Sequence, residues 1–398
     1  MKKKIFVISI GYVTIPTPSD KKFVLDIVQN LSSEFDITVW SLNDMNDSHN
    51  EKTIYCGKNN SYKFYNKNRI FHQSLGSKYM PHPLHSAIRN GLEINLSLLW
   101  YLMTHLRTKI NECNPDIIHL TDSIGPIASL IKIFYKNIPI TITKPTVRIS
   151  KNPIYNLWVR LSLKKAECIF TFTNLCTKQL EKIGIKKNKI NTIPWGVQVS
   201  ANNLPIDKEL LIRKRYNCNK DELLIIVIPR VSRGDLYKYI NRVKSISVKV
   251  HAKFVFAIKP TLYIDSFSKI GNDKVFIECG PKDFYNLLSA SDISIVHTSG
   301  QKNIISSSLL PLTWMESMLR ETPVFTNEAP GIRDLIIDNY TGVIYKTDED
   351  LVSKLLESDV KKNIKNMKIN ARNLILDKFN LDKISGLYSD IWKNFSDR

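Results

Sequence analysis

The chain is poor in the features that mark several protein classes. Its six cysteines, Cys56, Cys113, Cys168, Cys176, Cys218 and Cys279, form no Cys-x-x-Cys pair, and none has a histidine at zinc-binding spacing. That excludes a zinc module. In a chain of 398 residues it also argues against a disulfide framework and fits a reducing cytosol. No run of about 18 apolar residues exists, so no membrane-spanning helix is expected. Lys2-Lys3-Lys4 followed by Ile5 to Val13 imitates a secretion signal, but Pro16 to Lys22 offers no small-residue cleavage site. A short buried strand entering a charged turn explains those letters better. Low-complexity tracts and short repeats are absent.

Acidic residues are also scarce. There are 37 Asp+Glu against 57 Lys+Arg, a net charge of +20. Residues 1–200 hold 27 basic and 13 acidic residues, so the first half carries +14 of the excess. Such a half suits an anionic partner, whether nucleic acid, an anionic membrane face or a phosphorylated substrate; solvent-exposed lysines of a Lys-rich proteome account for it equally. No nucleic-acid reader motif appears, and the basic residues are not interleaved with an aromatic platform, so nucleic acid is not expected as a partner.

What is present is alternation. Ile5 to Ile10 is a continuous apolar run, as in a strand buried on both faces of a parallel sheet. Phe23, Val24, Ile27 and Leu31 then follow helical spacing, and Asp36 to Trp40 reads as the next strand. Residues 42–80 are polar, an irregular excursion with one or two strands, and Ser86 to Ile110 reads as a long helix. Strands at Asp116–Leu120, Pro139–Thr143, Cys168–Thr173 and Ile190–Pro194 alternate with helices at Ile124–Tyr135, Asn152–Leu163 and Thr177–Ile183. The pattern restarts at the strand Leu223–Ile228 and runs to helices at Val360–Phe379 and Asp382–Phe395. Length and pattern predict two doubly wound parallel sheets, with ligands at the carboxyl ends of the strands in a cleft between facing domains.

The second half carries specific letters. Ile225–Ile228 leads into Pro229-Arg230-Val231-Ser232-Arg233-Gly234-Asp235-Leu236. Asp283 to Ile293 forms a helix-like stretch ending in Ala290-Ser291-Asp292-Ile293, with Gly280-Pro281 just before it. Pro311 to Thr326 contains Glu316 and Pro323-Val324; Gly331-Ile332-Arg333-Asp334-Leu335-Ile336 and Tyr340-Thr341-Gly342 follow. In the first half stand Pro115-Asp116-Ile117-Ile118-His119 and Ile193-Pro194-Trp195-Gly196-Val197.

In this order these segments resemble glycosyltransferase family 4. The resemblance implies the GT-B fold, two Rossmann-like domains facing across a cleft. Residues 1–194 would be the acceptor domain, residues 195–378 the nucleotide-sugar domain, and residues 379–398 a helix returning to the first. It implies a glycosyltransferase that uses a nucleotide-sugar donor, needs no cofactor or metal, and retains anomeric configuration. Arg230 and Arg233 match the family cations that hold the donor diphosphate; positioned cations suit a leaving group of growing negative charge. Glu316 falls on the acid that accepts the donor ribose hydroxyls. The plain alternatives are two surface arginines and a helix acid favoured by the dipole. Gly280 and Pro281 sit where the family loop meets the nucleobase.

Three departures fall on catalytic ground. The first acid of the paired-glutamate motif is replaced by Ser308, leaving Ser308 and backbone amides around Leu309 and Leu310 to hold the donor sugar. The family histidine position is Pro145, with Lys144 beside it as a substitute cation, and His119 reads as structural. Ser19-Asp20 replaces the Gly-Gly of the first turn. Two readings stay open: a divergent active enzyme, or a degenerate scaffold subunit supporting an active partner.

Low glycine (14 residues) and abundant Lys, Asn and Ile suggest an AT-rich bacterial gene. The expected acceptor is a glycan or undecaprenyl-linked molecule in surface polysaccharide or O-antigen (lipopolysaccharide) assembly, at the cytoplasmic face of the inner membrane. Ile154 to Lys165 mixes apolar, aromatic and basic residues at helical spacing, as does Leu92 to Arg107. Either suits an anionic membrane interface or plain packing on a sheet.

Overall fold

A computed structural model describes residues 2–10, 22–43, 51–57, 60–68, 106–121, 127–144, 153–199, 205–258, 270–280, 283–298 and 312–395. Two compact units emerge. Met1–Gln198 joins Leu381–Arg398 in the first, and Val199–Asn380 forms the second.

In the first unit, strand β1 (Lys4–Ile10) leads to helix α1 (Lys22–Leu31) and strand β2 (Asp36–Asn43). The polar excursion contributes a hairpin, β3 (Glu51–Gly57) and β4 (Asn60–Asn68). Helix α2 (Arg107–Cys113) covers the described end of the expected long helix; Ser86 to His105 lies outside the described residues. Strands β5 (Ile117–Thr121), β6 (Ile140–Thr143), β7 (Cys168–Thr171) and β8 (Ile190–Thr192) alternate with helices α3 (Ile127–Phe134), α4 (Pro153–Lys165) and α5 (Asn174–Lys182). Among the described residues the sheet order is β3-β4-β2-β1-β5-β6-β7-β8. Pairing is parallel except for the β3–β4 hairpin. The central strands are buried along their length, which is why they read as unbroken apolar runs rather than alternating ones.

The second unit opens with helix α6 (Ile206–Arg215), which the periodicity does not announce. Its Ile206, Leu210 and Leu211 are exposed, and Ile212 is its buried apolar side chain, so no stripe faces a core. Strand β9 (Leu223–Val227), helix α7 (Arg233–Lys249), strands β10 (Ala252–Ile258) and β11 (Val275–Cys279), helix α8 (Phe284–Ala290) and strand β12 (Ile293–Val296) follow. Helix α9 (Leu312–Leu319), strands β13 (Val324–Asn327) and β14 (Gly342–Tyr345), and helices α10 (Asp348–Leu356) and α11 (Val360–Lys378) complete it. The sheet order is β11-β10-β9-β12-β13-β14, all parallel. The order reverses between β9 and β12, a topological switch point that places a crevice at their carboxyl ends.

Helix α12 (Leu381–Asn394) belongs to the first unit. Its Trp392 packs edge-on to Phe35 and its Tyr388 stacks on Phe170 at 4.2 Å. Ser389 and Lys393 both donate to Glu34 at 2.6 Å. The sequence sets this up: Leu381, Ile384, Tyr388 and Trp392 recur on one helical face, and all four are buried. His119 sits beneath them, within 2.8 Å of Thr141 through Nδ1 and 3.1 Å of Thr143 through Nε2. Burial pushes its pKa down to about 3, so it is a neutral core histidine. Cys113, Cys168, Cys176 and Cys218 are free thiols.

Candidate active site

The carboxyl edge of the second sheet gathers most of the described candidates. Strand β9 continues past its last ladder residue because Ile228 N–H donates to Ile295 O and Arg230 N–H to His297 O, each at 2.8 Å. Arg230 is thereby fixed at the strand end by its backbone, with an exposed side chain. Val231 turns inward, and Ser232 caps α7. The Ser232 hydroxyl accepts from Asp235 N–H at 3.2 Å, an ordinary N-cap bond, and donates to the Asp235 carboxylate at 2.6 Å. Arg233 is the first residue of that helix. One turn therefore holds two arginines and a helix N-terminus, all favouring an anion. Asp235 stands in the same first turn and opposes part of that field.

Glu316 lies in the second turn of α9, half-buried. The buried neighbours Trp314, Met315, Met318 and Leu319 fix the helix against the core. Its carboxylate accepts a hydrogen bond from the Tyr285 hydroxyl at 3.0 Å, across from α8. The Arg320 guanidinium stands 4.2 Å from the Tyr285 ring centroid and donates to the Glu316 backbone carbonyl at 3.2 Å. Gly280 ends β11 in a left-handed conformation at φ 53°, a turn that a side chain would disfavour, and its N–H donates to Ile258 O at 2.8 Å.

A second polar group lies at the same edge, and the motifs do not announce it. His297 follows the last residue of β12; its Nδ1 is 3.1 Å from the Tyr345 hydroxyl, and Tyr239 stacks on its ring at 4.5 Å. Arg242 pairs with Asp348 alongside. Burial lowers the His297 pKa to about 4, with Arg242 adding to the shift. Thr298 N–H donates to Asn327 Oδ1 and Asn327 Nδ2 returns a bond to Thr298 O, both at 2.9 Å, tying the ends of β12 and β13.

Lys144 stands at the carboxyl end of β6 in the first unit. It is buried; its N–H donates to Phe170 O at 2.7 Å, and its carbonyl accepts from the Cys176 thiol at 3.2 Å. Pro145, Pro281, Ser308, Leu309, Leu310 and Ser19-Asp20 lie outside the described residues, as does the side chain of Arg233. Among the described residues, no three His, Cys, Asp or Glu side chains gather as a metal-binding group.

Comparison with known proteins bears on the fold. Residues 22–201 match the model of Glycosyltransferase Family 4. No curated protein matches the chain. Among solved structures, sucrose-phosphate synthase from Thermosynechococcus elongatus superposes with a TM-score of 0.69 at 14 % identity, covering 99 % of each chain. A glycosyltransferase from Rickettsia africae gives 0.67 at 15 % identity, covering 99 % of this chain and 98 % of its own. Anabaena HepE, solved in complex with UDP, gives 0.66 at 11 % identity over 98 % of this chain and all of its own. The fold is GT-B, as the motif order implied.

Proposed function

We propose that this chain, whose residues 22–201 are a Glycosyltransferase Family 4 domain in a protein of GT-B fold, moves a sugar from a nucleotide-sugar donor to a glycan or lipid-linked acceptor. The carrying observation is the edge of the second sheet. Two arginines and a helix N-terminus stand within one turn, and Glu316 lies at the same carboxyl edge. Arg230 and Arg233 hold the donor diphosphate and offset its charge as it leaves, with no metal required. Glu316 accepts the ribose hydroxyls, which a carboxylate can do in pairs. On the family resemblance alone, this reading assigns Lys144, Ser308, Leu309 and Leu310 to the donor sugar, with retention of configuration, and Gly280-Pro281 to the base.

The acceptor side takes its support from charge and exposure. Residues 123–166 contain no Asp or Glu and eight Lys or Arg. Within that stretch α4 packs Trp158, Val159 and Leu163 inward. It leaves Leu157 at 54 % and Leu161 at 49 % exposure beside exposed Arg160, Lys164 and Lys165. Such a face suits an anionic bilayer carrying a lipid-linked acceptor of bacterial surface polysaccharide. No helix among the described residues is long and apolar enough to cross a membrane. The chain should therefore sediment with vesicles containing phosphatidylglycerol and not with neutral ones. Leu157→Asp with Leu161→Asp should abolish that, and equal binding to both vesicle types would contradict it.

One observation favours the scaffold reading. Asp235 occupies the first turn of the helix assigned to the diphosphate, and Ser308 replaces an acid. Turnover decides between the two. The purified protein is incubated with UDP-, GDP- and ADP-linked sugars and a membrane extract, and released nucleoside diphosphate is counted. Release with one donor class supports the enzyme; no release with any donor, in folded protein, supports the scaffold.

A further inference from the structure

The enzyme reading leaves Tyr285 without a part, although it is an exposed aromatic ring bonded to Glu316. An exposed tyrosine normally turns freely in water. Tyr285 is 47 % exposed, yet three contacts restrain it. Its hydroxyl donates to Glu316 at 3.0 Å, the Arg320 guanidinium lies 4.2 Å from its centroid, and Phe284 meets it edge-on at 5.6 Å. Arg320 is itself anchored to the Glu316 backbone carbonyl at 3.2 Å. Two helices, with the partners 31 positions apart in sequence, thus cooperate to hold one ring. A surface link between helices needs the hydroxyl bond alone. It does not need a cation behind the ring and open area on the rest of it.

We infer that Tyr285 is the stacking platform for the donor's nucleobase and that its hydroxyl positions Glu316 for the ribose. The inference rests on Glu316 being the ribose acceptor. In a nucleoside the base is attached to the carbon next to the one bearing the 2′-hydroxyl. A carboxylate that accepts the ribose hydroxyls therefore has the base as a close neighbour. Tyr285 supplies a flat apolar face at that place, in the first turn of the helix that follows the Gly280 turn. A cation behind the ring draws electron density from it and favours stacking with an electron-rich purine or pyrimidine. The phenol bond engages part of the acceptor capacity of Glu316 and fixes its rotamer. Tyr285 is a positioning and specificity residue and takes no part in the chemical step.

The test is calorimetric titration of UDP, GDP and ADP into the full chain, its Tyr285→Phe and Tyr285→Trp forms, and Tyr285→Leu, with melting temperatures alongside. The ring-bearing variants should keep affinity within a few-fold. Tyr285→Leu should lose about tenfold or more, as loss of a base–aromatic stack does elsewhere, with an unchanged melting temperature. Equal loss in the Phe and Leu variants would reduce Tyr285 to a hydroxyl link, and unchanged binding by Tyr285→Leu would overturn the inference. If the wild-type chain binds no nucleoside diphosphate, the donor-site reading itself fails and this inference falls with it.

Discussion

Arg230 shows what a single residue contributes at the strand edge. Its backbone is bonded into the sheet while its side chain stays exposed, so replacing the side chain leaves β9 intact. Arg230→Ala should weaken nucleoside diphosphate binding by about tenfold or more, the scale of a lost charge-assisted hydrogen bond. Arg230→Lys should recover only part, because an ammonium cannot copy the guanidinium fork. Unchanged affinity in both would move the diphosphate elsewhere. Arg230, Arg233 and Glu316 could be named as candidates from the sequence because each lies in a run of letters with a fixed order. Tyr285, Arg320 and His297 could not. Their roles come from partners on other elements, such as the 48 positions between His297 and Tyr345, and no local spacing encodes that.

At the scale of elements, legibility followed burial. Strands β5, β6, β7 and β9 are buried along their whole length and were readable as apolar runs. Helix α6 was not, because its large apolar side chains are mostly exposed. The β3–β4 hairpin adds polar strands at the sheet edge, where the apolar signal is weakest. The docking of α12 depends on a glycine that the linker motif already contained. A Cβ on Gly196 would lie 2.7 Å from Leu381 Cα, and the N–H of Leu381 donates to Val197 O at 3.0 Å. Gly196→Ala should therefore cost about 1–3 kcal/mol, as overpacking does, read as a lower denaturation midpoint of the first unit. A midpoint equal to wild type would mean that this junction yields without strain.

For the whole molecule, each unit holds among its described residues an imidazole kept neutral by desolvation, His119 buried and His297 half-buried. The folded pKa of His119 is about 3 and that of His297 about 4, below the ordinary value of 6.5. Below pH 6.5 the unfolded chain binds protons that the folded units refuse. Stability is therefore full above pH 6.5 and falls as pH drops toward 4, by up to about 1.4 kcal/mol per pH unit for each group. Melting temperatures taken from pH 7.5 to 4.5 should decline below 6.5, and His119→Gln should flatten the first unit's curve. A flat wild-type curve over that range would contradict the neutral assignment. The basic excess belongs to the same scale. It was visible from composition, whereas the helix face that displays Leu157 and Leu161 was not, since periodicity alone could not say which side packed inward.

In the proposed reading the carboxyl edge of the second sheet binds a nucleoside diphosphate through Glu316. Calorimetric titration of UDP, GDP, ADP and CMP into the wild-type chain and Glu316→Ala tests it most directly. Saturable binding of one nucleoside diphosphate, weakened at least about tenfold by loss of hydrogen bonds to a charged group, is the expected result. Binding of that nucleotide with equal affinity by both proteins would contradict the site, and no binding of any nucleotide would leave the scaffold reading in its place.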